Sequence, residues 1–264
     1  MTTMTYRTLG RSGLRVSAVG LGCNNFGRPG SATETQDGTD RVLHAALDHG
    51  ITLLDGADIY GHEYGRSEAM MGHALRGRRD EVVLASKFGH VDYESPIPHW
   101  GAKGSRRYIR LAVEGSLRRL QTDTIDLYQF HTPDPLTPLE ETLAALHELI
   151  DAGKVRYIGH SNFAGWQLAR ADLLAELHAD TRIMRQRPHL VETAPWDRIE
   201  ALEAFCAARG IGMLEATIGW LLSRPALASV IAGATTAEQV AQNAAAVNAW
   251  TPTEEDLAEI DALF

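Results

Sequence analysis

The chain holds only two cysteines, Cys23 and Cys206, far apart, and its first residues, Met-Thr-Thr-Met-Thr-Tyr-Arg, have no apolar stretch of signal-peptide length. Both features argue against a disulfide framework and point to reduced thiols in a cytoplasmic protein. No Cys/His cluster has zinc spacing, so no metal is expected. No apolar run reaches the ~18 residues needed to cross a bilayer. No GxGxxG follows an early strand, which disfavours a Rossmann domain. Positive charge is in short supply: 25 Lys and Arg stand against 34 Asp and Glu, for a net charge of −9. That balance argues against nucleic acid or an anionic membrane as partner. Linkers and low-complexity tracts are missing as well. With 44% apolar and 22% charged residues, the 264-residue chain is expected to form one domain over 1–264. A parallel β/α barrel takes ~250 residues as a single domain.

What the chain does have is alternation. Six short apolar runs read as strands buried on both faces: Val19–Cys23, Thr52–Asp55, Val82–Lys87, Ile125–His131, Val155–Gly159 and Ser229–Ala232. Helical segments separate them. Thr39–His49 is one, and Ser67 is the expected N-cap of a helix reaching Leu75. Ser105 is expected to cap a helix with Ile109, Val113, Leu117 and Leu120 on one face. Leu139, Leu143 and Leu146 repeat at helical spacing before Gly153, a C-terminal stop. Trp196–Ala208, Ala237–Ala246 and a terminal helix opened by Thr253 complete the series. The stretch Tyr6–Val19 reads as a hairpin closing the bottom of a barrel. The expected fold is therefore α/β, a parallel (β/α)8 TIM-barrel type with an N-terminal β-hairpin, incomplete at about six strands. Ala179–Pro195 is the weak stretch, because Arg-Gln-Arg-Pro-His is poor strand sequence.

Three of the runs end on residues capable of proton chemistry: Asp55 and Tyr60 after the second, Lys87 after the third, His131 after the fourth. Singly, each has a bland reading. A lysine after a strand is ordinarily a solvated loop residue, a tyrosine in an Ile-Tyr-Gly turn packs against its neighbours, and an aspartate there caps the turn. Together they occupy strand ends that meet at one face of a barrel. Their roles also fit. An ammonium lowers the pKa of a nearby phenol from its usual ~10, a carboxylate holds the ammonium, and an imidazole donates to a substrate oxygen. Such a site can protonate an alkoxide as it forms. Ile231-Ala-Gly-Ala-Thr-Thr-Ala-Glu-Gln-Val is a strand, a turn and a helix start, suited to phosphate or to an ordinary N-cap.

These residues resemble the aldo-keto reductase family. Asp55-Gly-Ala-Asp-Ile-Tyr-Gly is similar to its Asp-Thr-Ala-Asp-x-Tyr-Gly motif, with Gly56 in place of threonine. Val83–Lys87 resembles its lysine strand, and Asp126–His131 its histidine strand. Gly153-Lys-Val-Arg-Tyr-Ile-Gly-His-Ser-Asn-Phe163, Gly20-Leu-Gly-Cys-Asn and Ile231–Val240 also match, in order. The resemblance implies an NADPH-dependent oxidoreductase that reduces aldehyde or ketone carbonyls, with NADH the lesser alternative. It makes Tyr60 the general acid, Lys87 its partner, Asp55 the support and His131 the substrate-orienting residue. It assigns Ser161 and Asn162 to the nicotinamide, Gly22 and Cys23 to backbone contacts with the cofactor, and Gly233, Thr235, Gln239 and Asn243 to its adenosine phosphate end.

The departure lies between Leu177 and Trp196, where two βα units are expected to be absent, about 60 residues at ~30 each. A second alignment makes Arg182–Gln186 the sixth strand, Ile211–Leu214 the start of the seventh, and Gln186 a nicotinamide neighbour. An incomplete barrel leaves edges that dimerisation across the gap would cover, hence a homodimer. Two other functions stay open: a cofactor-binding regulatory or inactive barrel protein, and a lyase or isomerase on the same fold. The resemblance implies a small carbonyl molecule as the partner. Asn24–Arg28, Val91–Lys103 and Pro133–Thr137 are the expected substrate loops, with Phe26, Tyr93 and Trp100 as apolar lining.

Overall fold

The computed structural model describes residues 4–10, 12–163, 182–183 and 196–263. Its first element is the expected hairpin: β1 (Tyr6–Thr8) pairs antiparallel with β2 (Arg15–Ser17). Alternation then follows. It runs β3 (Val19–Gly22), α1 (Gln36–Asp48), β4 (Leu53–Asp55), α2 (Arg66–Ala74), β5 (Val83–Phe88), α3 (Arg106–Leu120), β6 (Ile125–Phe130), α4 (Leu139–Asp151) and β7 (Val155–Ser161). After β7 come β8 (Arg182–Ile183), α5 (Trp196–Arg209), α6 (Met213–Leu222), β9 (Val230–Gly233), α7 (Ala237–Ala246) and α8 (Glu254–Asp261).

The strands β3–β9 form one parallel seven-stranded sheet in the order β8-β7-β6-β5-β4-β3-β9. This is the barrel-type order, each strand beside its predecessor and the last beside the first. Among the described residues the sheet does not close, since no strand stands between β8 and β9. The expectation that the sixth strand is absent is corrected: Arg182–Ile183 pairs with His160 and Ser161 of β7. Ile211–Leu214 is not the start of a seventh strand, because α6 begins at Met213. Gln186 lies outside the described residues.

Side chains alternate along each strand and divide the interior from the helical layer. Inside, Leu53, Ala85, Leu127 and Ala228 form an apolar floor onto which the hairpin packs Leu9, Leu14 and Val16. Outside, Leu84, Phe88, Tyr128 and Phe130 meet the helices in the main core. Asp126 pins the amino ends of the strands. It accepts from the Leu84 amide and pairs with Arg79 and Arg156.

Helix starts follow local chemistry. Ser105 accepts from the Tyr108 amide, and Thr236 and Thr253 each head a capping box. Ser67 is not a cap. The N-cap of α2 is Gly65, at φ +78° and with no side-chain cap bond, and the Ser67 hydroxyl instead donates to the Cys23 carbonyl at 2.7 Å. α2 and α3 approach closely at Gly72, where a Cβ would lie 2.4 Å from the Arg119 carbonyl oxygen. Phe205 and Cys206 of α5 pack with Ala216 and Ile260 in a separate cluster.

Candidate active site

The inner faces of β4, β5 and β6 place the reactive groups above the apolar floor. Val83, Ala85 and Lys87 share the inner face of β5. Register sets Asp55 beside Ala85 and Lys87 beside Gln129. Lys87 therefore stands just above Asp55. Its Nζ donates to Asp55 Oδ1 at 2.7 Å and Oδ2 at 2.8 Å, and lies 3.1 Å from both the Gly56 carbonyl and the Tyr60 hydroxyl. Lys87 is 1% exposed. Burial works against its charge. The Asp55 carboxylate and Tyr60 outweigh burial and hold the ammonium pKa above its usual range. A charge this deep persists because its protons meet oxygen acceptors.

Tyr60 is carried by the turn after β4. The Gly56 and Asp58 amides donate to the Ala85 and Lys87 carbonyls at 2.9 and 3.0 Å, so the chain keeps pairing with β5 beyond the strand proper. Gly61, at φ +100°, then reverses it beneath the Phe26 carbonyl, a place with no room for a Cβ. Burial pushes the Tyr60 hydroxyl above the ordinary phenol range, and Lys87 pulls the other way without overcoming it. The net direction therefore differs from the expected lowering, because desolvation of the phenolate is the larger effect.

His131 follows β6, its amide donating to the Phe88 carbonyl at 2.8 Å. Its ring meets Tyr60 edge to face, with centroids 5.9 Å apart at 81°. Burial, then the charge of Lys87 and the proximity of His90, push its pKa well below the imidazole range, so the ring is neutral. Asn162, in the left-handed region at φ +59°, turns its amide back to donate to the His131 carbonyl at 2.9 Å and Ser161 Oγ at 3.1 Å. Asp55, Tyr60, Lys87, His131, Ser161 and Asn162 thus lie together.

The remaining expected residues adjoin them through β3. Gly22 is in register with Asp55 on one side and with Gly233 on the other. Cys23 presents backbone, its amide donating to the Asp55 carbonyl at 3.0 Å, while its buried thiol has its pKa pushed well up by desolvation. A Cβ at Gly233 would meet nothing within 4 Å, so the backbone there is open. Gln239 Oε1 accepts from the Thr235 amide at 2.7 Å and its hydroxyl at 3.1 Å, and the Asn243 amide donates to the Gly233 carbonyl at 3.3 Å. Thr235, Gln239 and Asn243 therefore brace the turn between β9 and α7.

Some lining residues fall elsewhere. Phe26 is fully buried in the core, while Trp100 is 82% and Tyr93 53% exposed. Pro133–Thr137 line a cavity of about 680 Å³ with Phe130, Leu139 and Phe163, and no tetrad residue lines it.

Sequence reasoning missed a second layer of polar groups. Asp58, inside the Asp55–Gly61 motif, is fully buried. Its Oδ2 accepts from the Tyr64 hydroxyl at 2.8 Å, and Oδ1 has no partner among the described residues. Burial, then the neighbouring Glu68, push its carboxyl up to about 7. Glu68 is buried too, accepting from Ser86 at 2.5 Å and pairing with Arg119 at 2.6 Å. His90, three residues past Lys87, sits with its ring 4.7 Å from that of His131. The same strand-end rule that singled out Lys87 was the available signal for His90.

Comparison with known proteins agrees with this architecture. The model of the aldo/keto reductase family matches residues 18–189 and 180–264. The aldo-keto reductase YhdN of Bacillus subtilis (strain 168) is 42% identical over 177 residues, which is 66% of this chain and 52% of that protein. The chain thus spans about half of YhdN's length. The L-glyceraldehyde 3-phosphate reductase of Escherichia coli O157:H7 is 29% identical across 98% of this chain and 92% of its own. That alignment runs over 324 residues against a chain of 264, so part of the relative has no counterpart here. Among solved structures, the holo form of aldo-keto reductase AKR11C1 from Bacillus halodurans superposes with a TM-score of 0.80 at 30% identity, covering 98% of this chain and 96% of its own. The chain belongs to the aldo/keto reductase family.

Proposed function

We propose that the protein is an NADPH-dependent oxidoreductase that reduces aldehyde or ketone carbonyls to alcohols. One observation carries the reading: Lys87 Nζ contacts Asp55 and the Tyr60 hydroxyl together, and the His131 ring closes on Tyr60. When bound, the dinucleotide supplies the hydride that reaches the carbonyl carbon. Neutral His131 donates a hydrogen bond to the carbonyl oxygen and orients it. Tyr60 gives its proton to that oxygen as negative charge develops, and the Lys87 ammonium, held by Asp55, stabilises the phenolate left behind.

The residues on hand fit a nicotinamide dinucleotide. Ser161 and Asn162 offer side-chain hydroxyl and amide groups beside His131. Gly22 and Gly233 leave backbone uncovered, with Cys23 adding backbone beside them. The turn braced by Thr235, Gln239 and Asn243 opens onto a helix N-terminus, which favours phosphate. A second reading, NADH, has its own support: no Lys or Arg lies between Gly233 and Asn243, and Glu238 sits in the first turn of α7. A 2′-phosphate gains least there. Titrating NADPH and NADH by fluorescence and following turnover of a reactive aldehyde tests both. Turnover with either nucleotide supports the reductase reading, and tighter NADPH binding supports the preference. Binding without turnover favours the regulatory alternative, and no binding of either nucleotide ends the reading. The partner is a small carbonyl compound, and a second copy of the chain is the proposed cover for the open end of the sheet.

A further inference from the structure

Side chains alternate along β6. Tyr128 and Phe130 join the helical layer, and Leu127 joins the apolar floor. Gln129 follows Leu127 on the inner face, two residues before His131. Register puts it in one row with Lys87 of β5 on one side and Gly159 of β7, which carries no side chain, on the other.

Gln129 is fully buried, and neither its amide nitrogen nor its oxygen has a hydrogen-bond partner among the described residues. A carboxamide left so costs free energy that an apolar side chain of similar size would not. Lys87 does not take it, since that ammonium is spent on Asp55, the Gly56 carbonyl and Tyr60. A second unpartnered group stands next along the same face: His131 Nδ1 is buried and also lacks a partner among the described residues. Tyr60 and His90 meet the His131 ring edge to face, and Asn162 reaches the His131 carbonyl, not its ring. His90 keeps its place because Lys103 clamps its loop through the His90, Val91 and Tyr93 carbonyls.

We infer that Gln129 is a positioning residue for His131: through one bridging water its amide gives Nδ1 a hydrogen bond to accept, and so holds the imidazole proton on Nε2, toward the substrate oxygen. The inference rests on the carbonyl-reductase reading above. His131 is neutral, and a neutral imidazole has one proton for two nitrogens. Nδ1 is at the buried edge of the ring, which leaves the Nε2 edge for the cleft. The bond made at one ring nitrogen sets the proton on the other. The Lys87 ammonium, one strand away at ~4.8 Å, draws the Gln129 oxygen toward itself and turns the NH2 end to His131. His131 starts about 6.6 Å further along the face, a span that the glutamine side chain and one water cross together. The water accepts from the Gln129 amide and donates to His131 Nδ1.

The test reads the His131 imidazole by nitrogen NMR in protein with labelled histidine, its signals identified by their loss in His131→Phe. The parent is expected to show one tautomer, protonated on Nε2. Gln129→Met has similar size and no donor. It is expected to show both tautomers and to lower kcat/KM for a reactive aldehyde about tenfold, with NADPH affinity within about twofold of the parent. Gln129→Glu keeps the shape but only accepts, so the proton should move to Nδ1 and kcat/KM fall further. Gln129→Leu replaces Gln129→Met should the latter not fold. A glutamine that merely fills the core would leave the tautomer and kcat/KM unchanged in both apolar variants. A parent protonated on Nδ1, an unchanged tautomer in a folded apolar variant, or a changed tautomer with unchanged kcat/KM overturns the inference. Failure of both apolar variants to fold overturns it too, because Gln129 would then hold the core and not the ring. A parent that reduces no aldehyde with either nucleotide contradicts the reductase reading, while the spectra still decide whether Gln129 sets the His131 tautomer.

Discussion

Replacing Asp58 by asparagine should stabilise the protein, and more so as pH rises. The carboxyl is fully buried, Oδ1 has no partner among the described residues, and burial together with Glu68 raises its pKa from the ordinary 3.8 to about 7. The folded state thus binds the proton more tightly than the unfolded chain. Its contribution is fully present below pH 3.8 and is lost as pH climbs through about 7. Three powers of ten in proton affinity correspond to about 4 kcal/mol of cost above pH 7. At pH 5 less than half of that has been incurred. Asparagine carries no charge at any of these pH values, and its carbonyl still accepts from Tyr64. The gain of Asp58→Asn over the parent should therefore grow by about 2 kcal/mol between pH 5 and pH 8, or about 4–8 °C in Tm. Thermal unfolding of both proteins at the two pH values measures it. A gain that does not change with pH, or a parent that is the more stable at pH 8, refutes the reasoning.

Gly72→Ala should destabilise by about 3 kcal/mol, because the new methyl meets α3 backbone 2.4 Å away and neither helix can shift freely; denaturant unfolding measures the loss. Gln239→Ala and Asn243→Ala remove braces of the β9–α7 turn and should weaken NADPH binding while leaving the rate at saturating cofactor close to the parent's, as fluorescence titration and kcat would show. Sedimentation velocity should find a dimer, given the apolar side chains of β9 that are only partly buried at the end of the sheet, and a stable, cooperatively unfolding monomer would count against it.

Legibility in the sequence tracked how local the cause was. The runs ending on Asp55, Lys87 and His131 were readable because strands buried on both faces must be apolar, so polar residues at their ends stand out. The caps at Ser105 and Thr253 were readable because N-capping is a local bond between a hydroxyl and an amide three residues on. Ser67 misled for the same reason: it has the right side chain in the right place, but the chain enters α2 through a left-handed glycine at Gly65. β8 was undervalued because Arg182–Ile183 has no apolar run, and only the open edge of β7 makes it a strand. The net direction of the Tyr60 shift, and the presence of Asp58, Glu68 and His90 around the tetrad, depend on burial by α2, α3 and the Lys103-clamped loop. Spacing along the chain carries no measure of that burial.

The central claim is that Tyr60 is the proton donor to a reduced carbonyl and takes no part in holding the cofactor. Tyr60→Phe keeps the ring that His131 packs against and removes only the hydroxyl 3.1 Å from Lys87 Nζ. NADPH affinity and carbonyl turnover, measured side by side in parent and variant, test it directly. The account predicts affinity within about twofold of the parent and a rate lower by at least a hundredfold, in line with the contribution of a general acid. Full reductase activity in Tyr60→Phe, or lost activity accompanied by an equal loss of NADPH binding, would contradict it.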